Sequence, residues 1–328
     1  MKLPTIPKEN YYSKMYDIEN LTNLNKNRKL TNNKYLSEIE SLIKQNKCKQ
    51  AKKILSTKIK EKNASNELFL LYGALLIKEI ISTNFSKTIS EDYSPKNIAL
   101  LELSKYLNKP ISKIKSKTIV ETPVSLSWKK INPNPKNEAE VNYFYRITNA
   151  YVYELMAANY IVQTLYSYYA LSQKIKNKKI KTILDYGGGA GTLSILFKEL
   201  GYNVIYADLP GKTFDYAKWR FKQRKLNIKM IDLNKEDIDV LDFDCILCTE
   251  VIEHLVDPLK LLGKFKKVLK KNEILIVSES CEYTADFSSH LISNKKYGGA
   301  KFINILSKLG FNQIKKEPFI PQLIFKKS

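Results

Sequence analysis

Glycines and aspartates between residues 185 and 208 have the spacing of a loop that binds a nucleotide. The glycines are Gly187, Gly188, Gly189 and Gly191. Asp185 precedes them, and Asp208 follows Gly191 by 17 residues. A loop without side chains lets a ligand approach the backbone at the carboxyl end of a strand, and an acid after the next strand can bind a ribose diol. This chemistry suits a dinucleotide or an adenosine cofactor.

A second group of residues combines carboxylates with the two histidines of the chain, His254 and His290. If a helix begins at Glu250, offsets of three and four residues place Glu253 and His254 on its face. Carboxylate and imidazole groups can bind Mg²⁺ or Mn²⁺, and a neutral histidine can instead accept a proton from a hydroxyl or an amine. We favour the second role for His254, with Glu253 and His290 as further catalytic candidates, and expect no metal.

The elements that position these residues are short apolar runs, each suited to a buried parallel strand. The predicted strands are Ile180–Leu184, Asn203–Ala207, 227–232, Phe243–Cys248 and Ile274–Ser278. The third ends in Asp232, and helices with apolar residues at helical spacing lie between the runs. Asn312–Lys316 and Gln322–Lys327 could form a closing antiparallel pair. Strands that alternate with helices predict an α/β fold with a parallel sheet.

Three motifs in this order resemble class I S-adenosylmethionine-dependent methyltransferases over about residues 178–328. They are the pattern D-x-G-x-G-x-G, the acid 17 residues after its last glycine, and the segment CTEVIEHLVDP after the fourth strand. The resemblance implies a doubly wound, mostly parallel seven-stranded sheet and S-adenosylmethionine as cofactor. It also implies that Asp185 contacts the methionine amino group, Asp208 the ribose and Asp232 the adenine amine, while Glu250 faces the cofactor.

The same resemblance leaves the acceptor open. It implies methyl transfer to an oxygen, nitrogen or carbon nucleophile, and we expect a small molecule or metabolite. The E-x-x-E-H group also looks like that of metal-dependent O-methyltransferases that act on catechols or on the 3′-terminal ribose of small RNAs, so an RNA-directed enzyme is the alternative. A nicotinamide-dependent oxidoreductase is disfavoured, because Thr192 stands where the dinucleotide fingerprint has its third glycine.

The N-terminal half has helical patterns of its own. We predict a polar arm over 1–30, a helical cap with a Pro-rich linker at 121–137 over 31–137, and the methyltransferase domain over 138–328. Glu138–Leu171 should form one or two long helices that lead into the first strand. The aromatic stretch Tyr143–Tyr153 is where the resemblance places substrate contacts, although aromatic residues at helical spacing are also typical of a core.

The net charge of +22 falls mostly on residues 1–180, which hold 31 Lys and Arg against 15 Asp and Glu. Only four of the 55 basic residues are arginine, the residue that suits bidentate phosphate binding, so a nucleic-acid partner is not favoured.

The start MKLPTIPKENYY has no apolar core and predicts no signal peptide. Cys245 and Cys248 have C-x-x-C spacing but lie in a predicted strand, where this offset points them to opposite faces. The four cysteines therefore predict free thiols and a cytoplasmic protein without a membrane partner. The oligomeric state is not predicted.

Overall fold

The computed structural model describes residues 34–59, 66–82, 94–114, 123–160, 162–176, 178–283, 289–314 and 322–328. The predicted arm over 1–30 lies outside these residues. Two compact units divide the described chain, one within Met1–Ile119 and Met156–Ala170 and the other within Val120–Leu155 and Leu171–Ser328. The domain boundaries expected from the sequence stay predictions.

The first unit contains the helices predicted for the N-terminal half. They are α1 (Lys34–Lys44), α2 (Cys48–Lys58), α3 (Asn66–Ser82) and α4 (Pro95–Leu107). Helix α4 begins at a Ser-Pro pair, because Ser94 accepts a hydrogen bond from the Asn97 N–H at 3.4 Å and proline occupies the first helical position. Among the described residues, no helix combines the length and apolar character that a bilayer crossing requires.

Further helices that the structure describes before the sheet are α5 (Pro123–Ile131), α6 (Glu138–Ile147), α7 (Ala150–Asn159) and α8 (Val162–Ile175). Helix α5 corrects the expectation of a linker at 121–137, since its residues pack in an apolar cluster that the local Pro-rich composition does not reveal. The expected one or two helices over Glu138–Leu171 are three. Helix α6 ends because Thr148 has an extended backbone, with ψ at 135°.

A seven-stranded sheet organises the second unit. Its strands are β1 (Thr182–Tyr186), β2 (Asn203–Asp208), β3 (Lys229–Asp232), β4 (Cys245–Thr249), β5 (Ile274–Ser278), β6 (Phe311–Gln313) and β7 (Leu323–Lys327). Their order across the sheet is β3-β2-β1-β4-β5-β7-β6. The first five pair in parallel, and β7 pairs antiparallel with both β5 and β6. This confirms the predicted doubly wound, mostly parallel sheet.

The central strands β1, β4 and β5 have side chains that are buried on both faces, as is typical of a parallel sheet covered by helices. The helices that follow strands are α9 (Thr192–Glu199), α10 (Lys212–Gln223), α11 (Pro258–Val268) and α12 (Ala300–Lys308). Phe265 of α11 and Phe302 of α12 lie in the same apolar core as Ile246 of β4. Strand β1 begins two residues later than predicted and includes Asp185, so the backbone of this residue pairs with Tyr206 of β2.

A smaller apolar cluster joins the segment before β1 to residues that follow β4 and β5. Its buried members are Val124, Trp128, Val141, Phe144, Ala150 and Leu291, with Tyr145, Tyr151 and Val256 packed against them. Trp128 meets Phe144 edge to face, with ring centroids 4.8 Å apart. This cluster fixes helix α6 relative to the carboxyl edge of the sheet.

Candidate active site

The glycine loop lies at the carboxyl end of β1 and is tied to β2 by its backbone. The N–H groups of Gly187 and Gly188 both donate to the carbonyl of Ala207, at 2.8 and 3.4 Å, and the Gly191 N–H donates to the Gly188 carbonyl at 2.8 Å. Gly189 has a φ of +54°, which an L-side chain rarely adopts. The loop therefore presents bare backbone at the edge where open α/β sheets bind ligands.

Asp208 closes the loop from the end of β2. Its Oδ2 accepts the Gly189 N–H at 2.8 Å and its Oδ1 accepts the Leu209 N–H at 2.7 Å. The Tyr206 hydroxyl bridges the two parts, donating to the Gly189 carbonyl at 2.7 Å and lying 3.3 Å from Asp208 Oδ2. Burial raises the pKa of Asp208 to about 6, against the lowering effect of these donors. A carboxylate so placed can still bind a ribose through its remaining lone pairs.

Asp185 supports the loop from below. Its side chain is 2% exposed, and its Oδ2 accepts a hydrogen bond of 2.5 Å from the Ser194 hydroxyl of α9. Burial raises the pKa of Asp185 to about 7, with a smaller contribution from Asp208. The structure thus gives Asp185 a role in fixing strand, loop and helix, and its contact with a methionine amino group stays a prediction.

Thr192, at the position where a dinucleotide loop has its third glycine, is held by a buried arginine. The Arg220 Nη1 donates to the Thr192 Oγ1 at 2.7 Å and to the Ala190 carbonyl at 2.6 Å. A threonine used in this way keeps α9 close to α10 through its hydroxyl. A dinucleotide loop instead obtains close helix packing from a small residue. The geometry therefore also disfavours a nicotinamide-dependent oxidoreductase.

Asp232 lies beside Asp208 at the same edge of the sheet. The two residues are register partners on the adjacent strands β2 and β3. Asp232 is half-buried, and its Oδ1 accepts the Asn234 N–H at 3.0 Å. The structure thus brings the two predicted cofactor acids together, while their separate roles stay predictions.

The segment after β4 departs from the expected helix. Glu250 has a φ of +54° and lies outside a short 3₁₀ helix formed by Ile252–His254. The left-handed residue breaks the α-helical path that was expected to begin there. A Cβ on Gly187 would lie 2.5 Å from Val251 Cγ2, so this segment abuts the glycine loop. The two motifs identified in the sequence therefore meet in space.

Glu253, His254 and His290 come together in the segments that follow the neighbouring strands β4 and β5. One ligand atom from each lies within 4.8 Å of the others, and the two histidine rings meet edge to face with centroids 4.8 Å apart. Glu253 is fully buried, and neither carboxylate oxygen has a hydrogen-bond partner among the described residues. Such a buried carboxylate is costly unless it is protonated or paired with a cation.

The protonation states follow from this burial. Burial, with Glu250 nearby, raises the pKa of Glu253 well above its usual range. Burial lowers the pKa of His254 below its usual value, and burial with the adjacent His254 lowers that of His290 to about 3. Burial thus favours the neutral forms of this carboxyl and of both imidazoles, and a neutral imidazole can act as a proton acceptor or as a ligand.

Glu250 is exposed and sits beside the cluster. Its carboxylate accepts a hydrogen bond from the Ser280 hydroxyl, and its N–H donates to the Ser278 carbonyl at 3.3 Å. It does not belong to the close group formed by Glu253 and the two histidines. Of the four groups that the sequence offers as metal ligands, the structure brings three into one cluster, with the fourth at its border.

Sequence reasoning missed the residues that surround His254. Tyr145 and Tyr151 meet its ring edge-on, with centroids 5.5 and 6.1 Å away, and Ser289 completes the surroundings. The two tyrosines fall within the aromatic stretch Tyr143–Tyr153 but nothing in its pattern distinguished them. Tyr143 itself is 56% exposed. Ser289 had no signal, because serine between a strand and a helix is typical of any loop.

Comparison with known proteins supports the domain that these residues define. Residues 159–312 match a family model described as a methyltransferase domain. Two curated relatives are ubiquinone biosynthesis O-methyltransferases, from Pelagibacter ubique (strain HTCC1062) and Actinobacillus pleuropneumoniae serotype 7 (strain AP76). They are 32% and 30% identical over 36% and 33% of this chain. The alignments span about half the length of each relative, 50% and 49%.

Solved structures resemble the chain more distantly. An S-adenosylmethionine-dependent methyltransferase from Clostridium acetobutylicum ATCC 824 is 13% identical, covers 49% of this chain and 91% of its own, and has a TM-score of 0.37. The family assignment therefore rests on the family model, the curated relatives and the motifs. Together they support a class I S-adenosylmethionine-dependent methyltransferase domain in this chain.

Proposed function

We propose that the whole chain transfers a methyl group from S-adenosylmethionine to a nucleophile of a small molecule. The observation that carries this proposal is the contact between the two motifs at one sheet edge. Val251 lies against Gly187, so the glycine loop and the segment that holds His254 face the same space. A methyl donor bound at the loop and an acceptor beside His254 would therefore be neighbours.

The reaction in this proposal is a direct in-line displacement, in which the acceptor attacks the methyl carbon and the sulfonium leaves as a thioether. No covalent enzyme intermediate is needed. Asp208 would hold the ribose, Asp232 the adenine amine and Glu250 would face the cofactor. The main contribution of the site would be alignment of the two reactants, which can supply roughly 7–11 kcal/mol of a barrier.

A hydroxyl is the first acceptor to test, because the curated relatives are named as O-methyltransferases. His254 would take the proton of that hydroxyl, as expected from the sequence, with Glu253 and His290 beside it. The test begins with calorimetry of the purified chain against S-adenosylmethionine and against NAD. We expect binding of the first alone, followed by S-adenosylhomocysteine release with hydroxylated metabolites. Binding of NAD, or of neither ligand, would contradict the proposal.

One observation favours a second candidate, in which a divalent cation takes part. Within the part of the chain that the structure describes, both buried carboxylate oxygens of Glu253 lack a hydrogen bond, and they lie beside His254 and His290. These three residues would hold the cation, and oxygen and nitrogen donors suit Mg²⁺, Mn²⁺ or a later transition metal. A cation there would act as a Lewis acid toward a hydroxyl acceptor. This candidate would narrow the acceptor to a vicinal diol, on a small molecule or on RNA.

Metal content and chelation distinguish the two candidates. If a cation is needed, purified active protein should contain it stoichiometrically, EDTA should stop turnover, and His254→Ala and His290→Ala should each remove the metal. If His254 acts only as a base, EDTA should leave turnover unchanged. Lys260→Ala on α11, an exposed change outside the cluster, serves as the matched control for metal content.

We infer two further properties of the whole chain, its class of substrate and its location in the cell. A small-molecule substrate fits the relatives, whereas a nucleic-acid partner has only the charge of the N-terminal half to support it. A reducing, cytoplasmic location fits the buried thiols Cys245, Cys248 and Cys281, which form no disulfide among the described residues. Measuring the salt dependence of binding to a short single-stranded RNA would test the first, since phosphate contacts weaken steeply with salt.

A further inference from the structure

Three polar atoms form a closed triangle beside His254. The Nδ1 of His254 lies 3.0 Å from the Tyr145 hydroxyl and 3.1 Å from the Ser289 carbonyl oxygen. The Tyr145 hydroxyl in turn lies 3.2 Å from the same carbonyl. All three distances are within hydrogen-bonding range, so the protons in the triangle are constrained by which atoms can donate.

Only one arrangement of protons satisfies every side of this triangle. The Ser289 carbonyl can only accept, so the short distance to His254 Nδ1 requires a proton on that nitrogen. The Tyr145 hydroxyl then donates its single proton to the carbonyl and accepts from Nδ1–H. The opposite tautomer would place the Nδ1 lone pair against the carbonyl lone pairs at 3.1 Å, which is repulsive.

The consequence concerns the other ring nitrogen. In a neutral imidazole with a proton on Nδ1, Nε2 carries the lone pair. That nitrogen is therefore left as the acceptor for a substrate proton or as a ligand. Either role assigned to His254 needs this tautomer, whichever of the two candidates holds.

The partners of His254 are themselves held firmly. Tyr145 packs edge to face on Phe144, with centroids 5.2 Å apart, in the apolar cluster that contains Trp128. The Tyr151 hydroxyl donates to the Ser289 side chain at 3.5 Å. The triangle thus joins the helical segment before β1 to the loop after β5, and neither lies near His254 in sequence.

We propose that Tyr145 is a positioning residue for His254. Together with the Ser289 carbonyl, it fixes the Nδ1–H tautomer and leaves Nε2 available to the acceptor. This inference rests on the proposed function for its catalytic consequence, but the tautomer can be measured without any substrate. Failure of the one is therefore distinguishable from failure of the other.

The chain has two histidines, so ¹⁵N-histidine labelling gives a spectrum of two imidazoles, and His290→Gln assigns them. We expect His254 in the EDTA-treated wild type to be protonated at Nδ1 and unprotonated at Nε2. Tyr145→Phe keeps the ring but removes the hydroxyl, so the population of this tautomer should fall. We expect its kcat to fall about tenfold, the equivalent of one hydrogen bond, with KM for S-adenosylmethionine within about twofold.

Tyr143→Phe is the matched control, because it removes an exposed tyrosine hydroxyl from the same helix as Tyr145. Its His254 spectrum should match the wild type. A wild-type His254 protonated at Nε2 would overturn the proposal. So would a Tyr145→Phe spectrum identical to that of the wild type, with or without a loss of kcat, since a lost kcat alone would indicate only a packing role.

Discussion

At the scale of single residues, the candidate site depends on carboxylates that are buried and hydrogen-bonded by backbone. Asp208 holds the N–H groups of Gly189 and Leu209, and Asp185 holds the Ser194 hydroxyl. Both acids carry a raised pKa, because burial disfavours their charged forms. The loop thus packs on two buried carboxyl groups, and a bound cofactor with hydrogen-bond donors or positive charge would stabilise their ionised forms.

Asp208→Ala should weaken S-adenosylmethionine binding by about 1.5–3 kcal/mol, the range for hydrogen bonds to a charged group. The loss combines the ribose contact with the release of Gly189. Calorimetry measures it, and Asp232→Ala on the adjacent strand is the comparison, with a smaller expected loss. An Asp208→Ala affinity within a few tenths of a kcal/mol of the wild type would mean that another residue holds the ribose.

Asp185→Asn should change how stability depends on pH. The folded pKa of Asp185 is about 7 and its unfolded value is about 4, so between these values only the folded state holds the proton. Wild-type stability therefore decreases as pH rises from about 4 to about 7, by up to about 1.4 kcal/mol per unit from this group. The variant lacks this slope. Urea unfolding of the cofactor-free proteins measures the free energy of unfolding of each. The value for the variant minus the value for the wild type should increase with pH up to about 7, and a constant difference would contradict the assignment.

At the scale of elements, the glycine loop is where geometry constrains sequence most. A Cβ on Gly189 would lie 2.9 Å from Leu155 Cδ1, on a backbone already at a φ of +54°. Substitution there meets both backbone strain and a neighbouring side chain. The loop therefore tolerates little beyond glycine at this position.

Gly189→Val should abolish S-adenosylmethionine binding while the protein remains folded, with a loss of stability of about 1–3 kcal/mol from the backbone. Gly201→Val is the control: its φ is +93°, but nothing lies within 4 Å of an added Cβ, and it is outside the loop. It should lose stability without losing affinity. Calorimetry and thermal unfolding of both variants provide the measurement. Wild-type affinity in Gly189→Val would rule out the loop as the cofactor site.

The strands and the loop could be predicted because their signals are local: apolar runs, glycine spacing and the acids that end strands. The turn at Glu250 could not, since a left-handed glutamate has no local pattern and an α-helix was the natural expectation. The partners of His254 could not either. Tyr145 and His254 are 109 residues apart, and their hydrogen bond depends on packing between distant segments. Spacing rules describe neighbours along a strand or a helix and do not predict tertiary contacts between distant segments.

At the scale of the whole molecule, the two units do not follow one another along the chain. Helix α7 contributes residues up to Leu155 to one unit and from Met156 to the other, and Tyr160 donates to Glu102 at 3.2 Å within the first. Truncation at a single point therefore cannot separate the units. A cut before residue 138 would also remove Trp128 from the apolar cluster around Phe144.

We expect the fragment 138–328 to be less stable than the full chain by several kcal/mol, because Val124 and Trp128 leave a buried cluster. A fragment that begins at residue 120 keeps α5, so the difference in stability between the two fragments measures the contribution of residues 120–137. Circular dichroism and urea unfolding of both fragments measure the loss. Full-length stability in the shorter fragment would show that the segment before residue 138 is dispensable.

The left-handed backbone of Glu250 lowers the stability of the fold, while its carboxylate belongs to the candidate site. Selection for stability and selection for activity should therefore favour different residues at this position. A non-glycine residue in that conformation costs on the order of 1 kcal/mol, which glycine would relieve. A laboratory selection for heat tolerance alone should therefore favour glycine at position 250. It would discard the carboxylate that binds Ser280 and borders the histidine cluster. Thermostable variants of this chain should accordingly be screened for turnover at every round.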